Sequence, residues 1–97
     1  MGTEKNNAKR VRLVVSGRVQ GVYFRAHTRA AAEQLKLTGW VRNCKNGKVE
    51  ALFEGDQNNI EAIIEICRKG PPTGRVADVE IKWEKPTDEF DGFEIKY

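Results

Sequence analysis

The segment Gly17–Arg25 reads GRVQGVYFR and lies between an apolar stretch and an alanine-rich one. Gly17 and Gly21 bracket three residues, and Arg25 follows four positions after the second glycine. A strand that leaves through a glycine-bounded turn into a helix can point successive backbone N–H groups into one concavity. Such a nest binds anions, and the positive end of the helix adds to the attraction. Both glycines let the backbone turn and approach a ligand with no Cβ in the way. Arg25, just inside the helix, carries a planar fork that matches two phosphate oxygens. The G-x-x-x-G spacing is neither the dinucleotide G-x-G-x-x-G nor a P-loop, which needs G-K-[ST]. On spacing alone, a turn followed by a solvated arginine accounts for the same residues.

Asn43 is the second candidate. It falls at the end of a strand that includes Trp40, just before a turn, where asparagine is an ordinary turn former. Its amide also offers an acceptor and two donors, enough to orient a water molecule. Other polar residues fit chemistry less well. His27, the one histidine, lies two positions after Arg25, so on a helix it points away from the arginine's face. Glu54 and Asp56 read as a strand end and a helix cap rather than a paired acid and base. Tyr23 and Phe24 read as packing anchors.

These residues need elements to hold them. Val11, Leu13 and Val15 alternate with Arg10, Arg12 and Ser16, the period of a half-buried strand. Phe24, Thr28, Ala31, Ala32 and Leu35 recur at helical spacing, and Asp56 can cap a second helix striped by Ile60, Ile63, Ile64 and Cys67. Gly70-Pro71 stops that helix. Gly39–Asn43 and Val49–Glu54 are strands joined through Asn46-Gly47, a pair suited to the positive φ values of a type I′ turn. Ala77, Val79, Ile81 and Trp83 alternate as another strand, and GFEIKY can add a short terminal one. The order is βαββαβ. It predicts an α+β, ferredoxin-like sandwich, an antiparallel sheet with both helices on one face. Residues 1–8 are polar and aperiodic and are expected to form a flexible arm, leaving 9–97 as one domain.

The whole chain narrows the partners. Its 97 residues suit one core, and 39% hydrophobic with 32% charged residues is the balance of a globular protein. No apolar run approaches a membrane span and no charged start leads into a signal region, so the cytoplasm is expected. Cys44 and Cys67 lack metal-site spacing and read as reduced thiols. The net charge of +3 suits a small anion or nucleic acid, and its scattered cations do not choose between them.

Three stretches do choose. SGRVQGVYFR, LTGWVRNCKNGKVEALFEGD and GPPTGRVADVEIKW, in that order, resemble an acylphosphatase along nearly the whole chain from Val11 onward. The resemblance implies a metal-independent hydrolase without cofactor that converts an acyl phosphate to a carboxylate and inorganic phosphate. It implies that the backbone matching Arg18, Val19, Gln20, Gly21 and Val22 cradles the phosphate. Arg25 then binds it too, and Asn43 positions the attacking water. The family commonly has glycine where this chain has Lys36, which bears on stability alone.

Two rivals differ in class. An RNA-binding module of this fold needs stacking aromatics on adjacent central strands, and VRLVV and VEALFE lack them. A non-catalytic acyl-phosphate module, as fused to hydrogenase-maturation proteins, is disfavoured by a chain that ends at Tyr97 with nothing fused. The expected partners are therefore a small acyl phosphate and inorganic phosphate, the latter as product and inhibitor. The chain is expected to be a monomer, with neither a membrane nor nucleic acid as partner.

Overall fold

The computed structural model describes residues 8–97. The expected arm at residues 1–8 lies outside them except for Ala8, which is already the first residue of a strand. Seven elements follow in order: β1 (Ala8–Arg18), α1 (Phe24–Gln34), β2 (Thr38–Asn43), β3 (Val49–Asp56), α2 (Gln57–Lys69), β4 (Arg75–Glu84) and β5 (Phe93–Lys96). They build one sheet in the order β4-β1-β3-β2-β5, with both helices on one face. This is the ferredoxin-like α+β fold.

Strand periodicity explains the core. Val11, Leu13 and Val15 of β1 stand opposite Phe53, Ala51 and Val49 of β3, and all six are fully buried. Against them pack Phe24, Thr28 and Ala32 of α1 and Ile60, Ile63, Ile64 and Cys67 of α2. Each large aliphatic side chain so buried contributes roughly 1.5–3 kcal/mol. Burial also pushes the Cys67 thiol up to about 12, against the opposing pull of a hydrogen bond with Thr28.

One expectation about the sheet needs correction. β1–β3, β1–β4 and β2–β3 pair antiparallel, but β5 joins β2 in parallel, so the sheet is mixed. The connection 85–92 turns the chain back after β4, which runs against β1. A returning strand therefore runs with β1 and β2. As a result β1, β2 and β5 all point the same way, and their last residues, Arg18, Asn43 and Lys96, lie toward one end of the sheet.

The β2–β3 turn differs in type from the expected one. Only Gly47 has a positive φ, of 89°, and Asn46 does not. Cys44 and Lys48 close a three-residue loop, with the Cys44 N–H donating to the Lys48 carbonyl at 2.8 Å. Asn46 Oδ1 accepts from the Lys48 N–H at 3.1 Å, so its side chain forms the turn without left-handed backbone. A type I turn closed by a left-handed glycine is the common three-residue alternative to type I′.

The face of the sheet away from the helices is charged and paired. Arg12 donates to Glu50 and Glu84, each at 2.7 Å, and Arg42 donates to Glu50 at 2.9 Å. At one end of this face Arg10 reaches Glu54, Glu84, Thr87 and Glu89, while Glu54 accepts from the Thr87 and Asp88 amides. This network fastens the 85–92 connection to the sheet. Among the described residues no helix is long and apolar enough to cross a membrane.

Candidate active site

The loop between β1 and α1 is shaped by what it buries. Val19 and Val22 turn their side chains into the core, at 1% and 9% exposure, which leaves the backbone to face outward. The Val22 carbonyl accepts from Thr73 Oγ at 2.8 Å. Gln20 spends its side chain on the neighbouring hairpin, donating to the Cys44 and Lys48 carbonyls at 2.7 and 2.9 Å. The loop is thereby tied to the turn that follows Asn43. The two glycines have different tasks. Gly17 lies in β1 at a bulge opposite β4, where a Cβ would strike the Arg75 carbonyl and the Ala77 amide. It serves strand pairing and not ligand approach. Gly21, at φ 74° with open space where a Cβ would be, is where the loop itself takes left-handed backbone, which glycine adopts without strain.

Beside this loop lies a cavity of about 390 Å³, lined by Val19, Gly21, Tyr23, Phe24, Arg25, Ala26, Asn43, Ile95 and Tyr97. Val19, Gly21, Arg25 and Asn43 thus meet at one cavity. Arg18, Gln20 and Val22 do not line it. Arg18 ends β1, paired with Arg75, so the strand runs one residue past the expected start of the loop. Gln20 and Val22 support the loop from behind. A larger groove of about 1070 Å³ runs past His27, Ile66, Lys69 and Pro71 on the helix side and contains neither Arg25 nor Asn43.

The cavity favours anions for three reasons. Arg25 projects into it, and no carboxylate side chain is among the lining residues. The first turn of α1 has no acidic residue to offset its positive end. Among the described residues, no backbone N–H from Val19 to Ala26 donates to another protein group. The first bonded amide of the helix is that of His27, which donates to the Tyr23 carbonyl at 2.9 Å. Asn43 adds an acceptor: its Oδ1 is buried and has no hydrogen-bond partner among the described residues. Leaving a buried carbonyl oxygen unpaired costs about 1–3 kcal/mol, so this atom is set aside from the fold's own hydrogen bonding.

β5 also reaches the site, which the sequence reading missed. Arg25 Nη1 is directed at the Lys96 carbonyl at 3.5 Å, and its guanidinium carbon lies 4.8 Å from the centre of the Tyr97 ring. GFEIKY read only as a possible short strand; its parallel placement beside β2, which brings its last residues to Arg25, depends on the 85–92 connection. Phe24 is buried as a packing anchor, at 2% exposure, but Tyr23 is not one: it is 80% exposed.

A cavity at a loop–helix junction, with an arginine and free amides beside it at the end of a ferredoxin-like sheet, suits a small α+β protein that handles an anion. Comparison with known proteins narrows the class to one family. Residues 11–95 match the acylphosphatase family model. The acylphosphatase of Pelotomaculum thermopropionicum is 48% identical over 88 residues, 91% of this chain and 96% of that protein. That of Syntrophus aciditrophicus is 51% identical over 89 residues, 92% of this chain and 93% of its own. The solved acylphosphatase from Coxiella burnetii superposes with a TM-score of 0.91 at 35% identity, covering 99% of this chain and all of that one. The chain belongs to the acylphosphatase family.

Proposed function

We propose that this chain hydrolyses the carboxyl–phosphate bond of acyl phosphates, holding the phosphoryl group on the β1–α1 loop and Arg25 and the attacking water on Asn43. The observation that carries the assignment of roles is the buried, unpartnered Asn43 Oδ1 in the same cavity as Arg25 and a run of free amides. The phosphoryl oxygens accept from the loop amides and from the two-pronged guanidinium, which together offset the charge on the equatorial oxygens. Water donates one hydrogen to Asn43 Oδ1, which directs a lone pair at phosphorus. The water oxygen–phosphorus bond forms as the bond from phosphorus to the acyl oxygen breaks. The departing carboxylate, whose acid has a pKa of about 4, leaves as an anion without a general acid. The remaining proton of the water passes to a phosphoryl oxygen or to solvent. The free thiols Cys44 and Cys67 suit a reducing compartment, and we place this reaction in the cytoplasm.

The nucleic-acid reading loses its support on the open sheet face, where β1 and β3 present Arg10, Arg12, Glu50 and Glu54 in ion pairs rather than stacking rings.

The test compares Arg25→Ala, Arg25→Lys and Asn43→Ala on benzoyl phosphate, with inorganic phosphate as competitor. Loss of the arginine fork should weaken phosphate inhibition, and lysine should rescue little because an ammonium lacks the planar match. Asn43→Ala should lower kcat by roughly 100-fold while the phosphate inhibition constant stays close to the parental one. If Asn43→Ala loses phosphate affinity as severely as Arg25→Ala, Asn43 is a phosphate ligand and the water assignment is wrong.

A further inference from the structure

Tyr23 is placed at a cost and gives the fold little in return. Its backbone is left-handed, with φ 62° and ψ 22°, a region where a bulky residue is a genuine outlier. The side chain's Cβ makes this conformation unfavourable relative to ordinary backbone. It occupies the N-cap of α1 yet makes no side-chain cap hydrogen bond. The residue is 80% exposed, so its ring is not core. Among the described residues no hydrogen bond, ring stacking or cation–π contact holds its side chain. Strain of this kind is concentrated at functional sites.

The ring's position supplies the use. Tyr23 lines the Arg25–Asn43 cavity. With a phosphoryl group on the loop amides and Arg25, the rest of the substrate must extend toward the mouth. Apart from Arg25 and Asn43, the accessible side chains there are apolar or aromatic, those of Tyr23, Ala26, Ile95 and Tyr97, while those of Val19 and Phe24 are buried in the core. At about 390 Å³ the cavity is in the range of small-molecule sites, with more room than a phosphoryl group fills. Tyr97 has its ring over the Arg25 guanidinium, while that of Tyr23 is uncommitted.

We propose that Tyr23 is a specificity residue whose ring forms one wall of an acyl subsite and favours substrates with an aromatic acyl group. The proposal rests on the acyl-phosphate reading above. An aromatic acyl group can stack on the ring in an offset or edge-on arrangement, and a methyl group cannot.

The experiment measures kcat/KM for benzoyl phosphate and acetyl phosphate in the parent and in Tyr23→Gly, Tyr23→Asn and Tyr23→Phe, with melting temperature for each. Glycine and asparagine tolerate the left-handed backbone and are good N-caps, so both variants should melt at or above the parental temperature. Their benzoyl-to-acetyl ratio should nonetheless fall about three- to tenfold, and Tyr23→Phe should keep it. A residue kept only for stability would not move that ratio while the melting temperature rises. A ratio unchanged within twofold in Gly and Asn overturns the subsite and leaves the acylphosphatase reading intact. Equal losses on both substrates overturn it as well, making Tyr23 a determinant of loop geometry. Failure of the parent to hydrolyse either substrate removes both readings together.

Discussion

At the residue scale, Lys36 shows how a non-glycine residue is absorbed at a left-handed helix end. It follows α1 at φ 57°, with its N–H on the Glu33 carbonyl at 3.1 Å and the Leu37 N–H on the Ala32 carbonyl at 2.9 Å. These two bonds are the Schellman arrangement, and Leu37 and Ala32 are both buried beside it. The position therefore wants glycine, and the lysine Cβ costs on the order of 1 kcal/mol. Lys36→Gly should raise stability by about that amount in a denaturant titration, with kcat unchanged, since Lys36 does not line the cavity. A lowered midpoint would mean that the lysine makes a compensating contact. The types and spacing of Arg25 and Asn43 were legible in the sequence, because charge, fork geometry and amide chemistry belong to the residue. The unpaired state of Asn43 Oδ1 was not, because satisfaction of a polar atom is decided by distant neighbours. Tyr23 was misread for a related reason: an aromatic before a buried Phe24 looks like core until the left-handed backbone turns it outward.

At the scale of elements, period-two alternation made each strand legible but could not give the direction of β5, which depends on how 85–92 crosses the sheet. Nor did it reveal how the uncovered face is held together. That face relies on shared carboxylates. Burial alone would raise the Glu50 carboxyl, but hydrogen bonds from Arg12 and Arg42 outweigh it and hold the group below its ordinary value. Glu84 is also lowered, chiefly by its hydrogen bond from Arg12. Depressed folded-state values mean that the unfolded chain takes up protons first as pH falls. The stabilisation is thus fully present above the unfolded carboxyl pKa of about 4.3 and is lost as pH drops through the lower folded values. Replacing both carboxylates in a Glu50→Gln, Glu84→Gln variant should cost about 1–3 kcal/mol at neutral pH and flatten the acid limb of the stability curve. Parallel acid limbs in parent and variant would show that other carboxylates govern acid unfolding.

At the scale of the whole molecule, the site exists because three strands run the same way. The exit of β1, the end of β2 and the end of β5 meet at one end of the sheet, and each brings a part: loop amides, Asn43 and the support of Arg25. Ligand binding to such a preformed cavity should stabilise the entire fold by mass action. At ten times its dissociation constant, inorganic phosphate adds about 1.4 kcal/mol. For a chain of 97 residues this corresponds to a rise in Tm of about 5–10 °C. Phosphate also stabilises proteins generally through exclusion from their surfaces, so the raw shift does not isolate the site. The Arg25→Ala variant supplies the control, because exclusion acts on it equally. The parent and Asn43→Ala should show the full shift at the same phosphate concentration, and Arg25→Ala only the general part. A chelator should change neither the shift nor kcat, because the leaving carboxylate needs no Lewis acid and the phosphate charge is met by Arg25 and backbone amides. Equal shifts in parent and Arg25→Ala would place phosphate elsewhere on the molecule, whereas a shift abolished by chelation would require a metal ion between the phosphate and the protein.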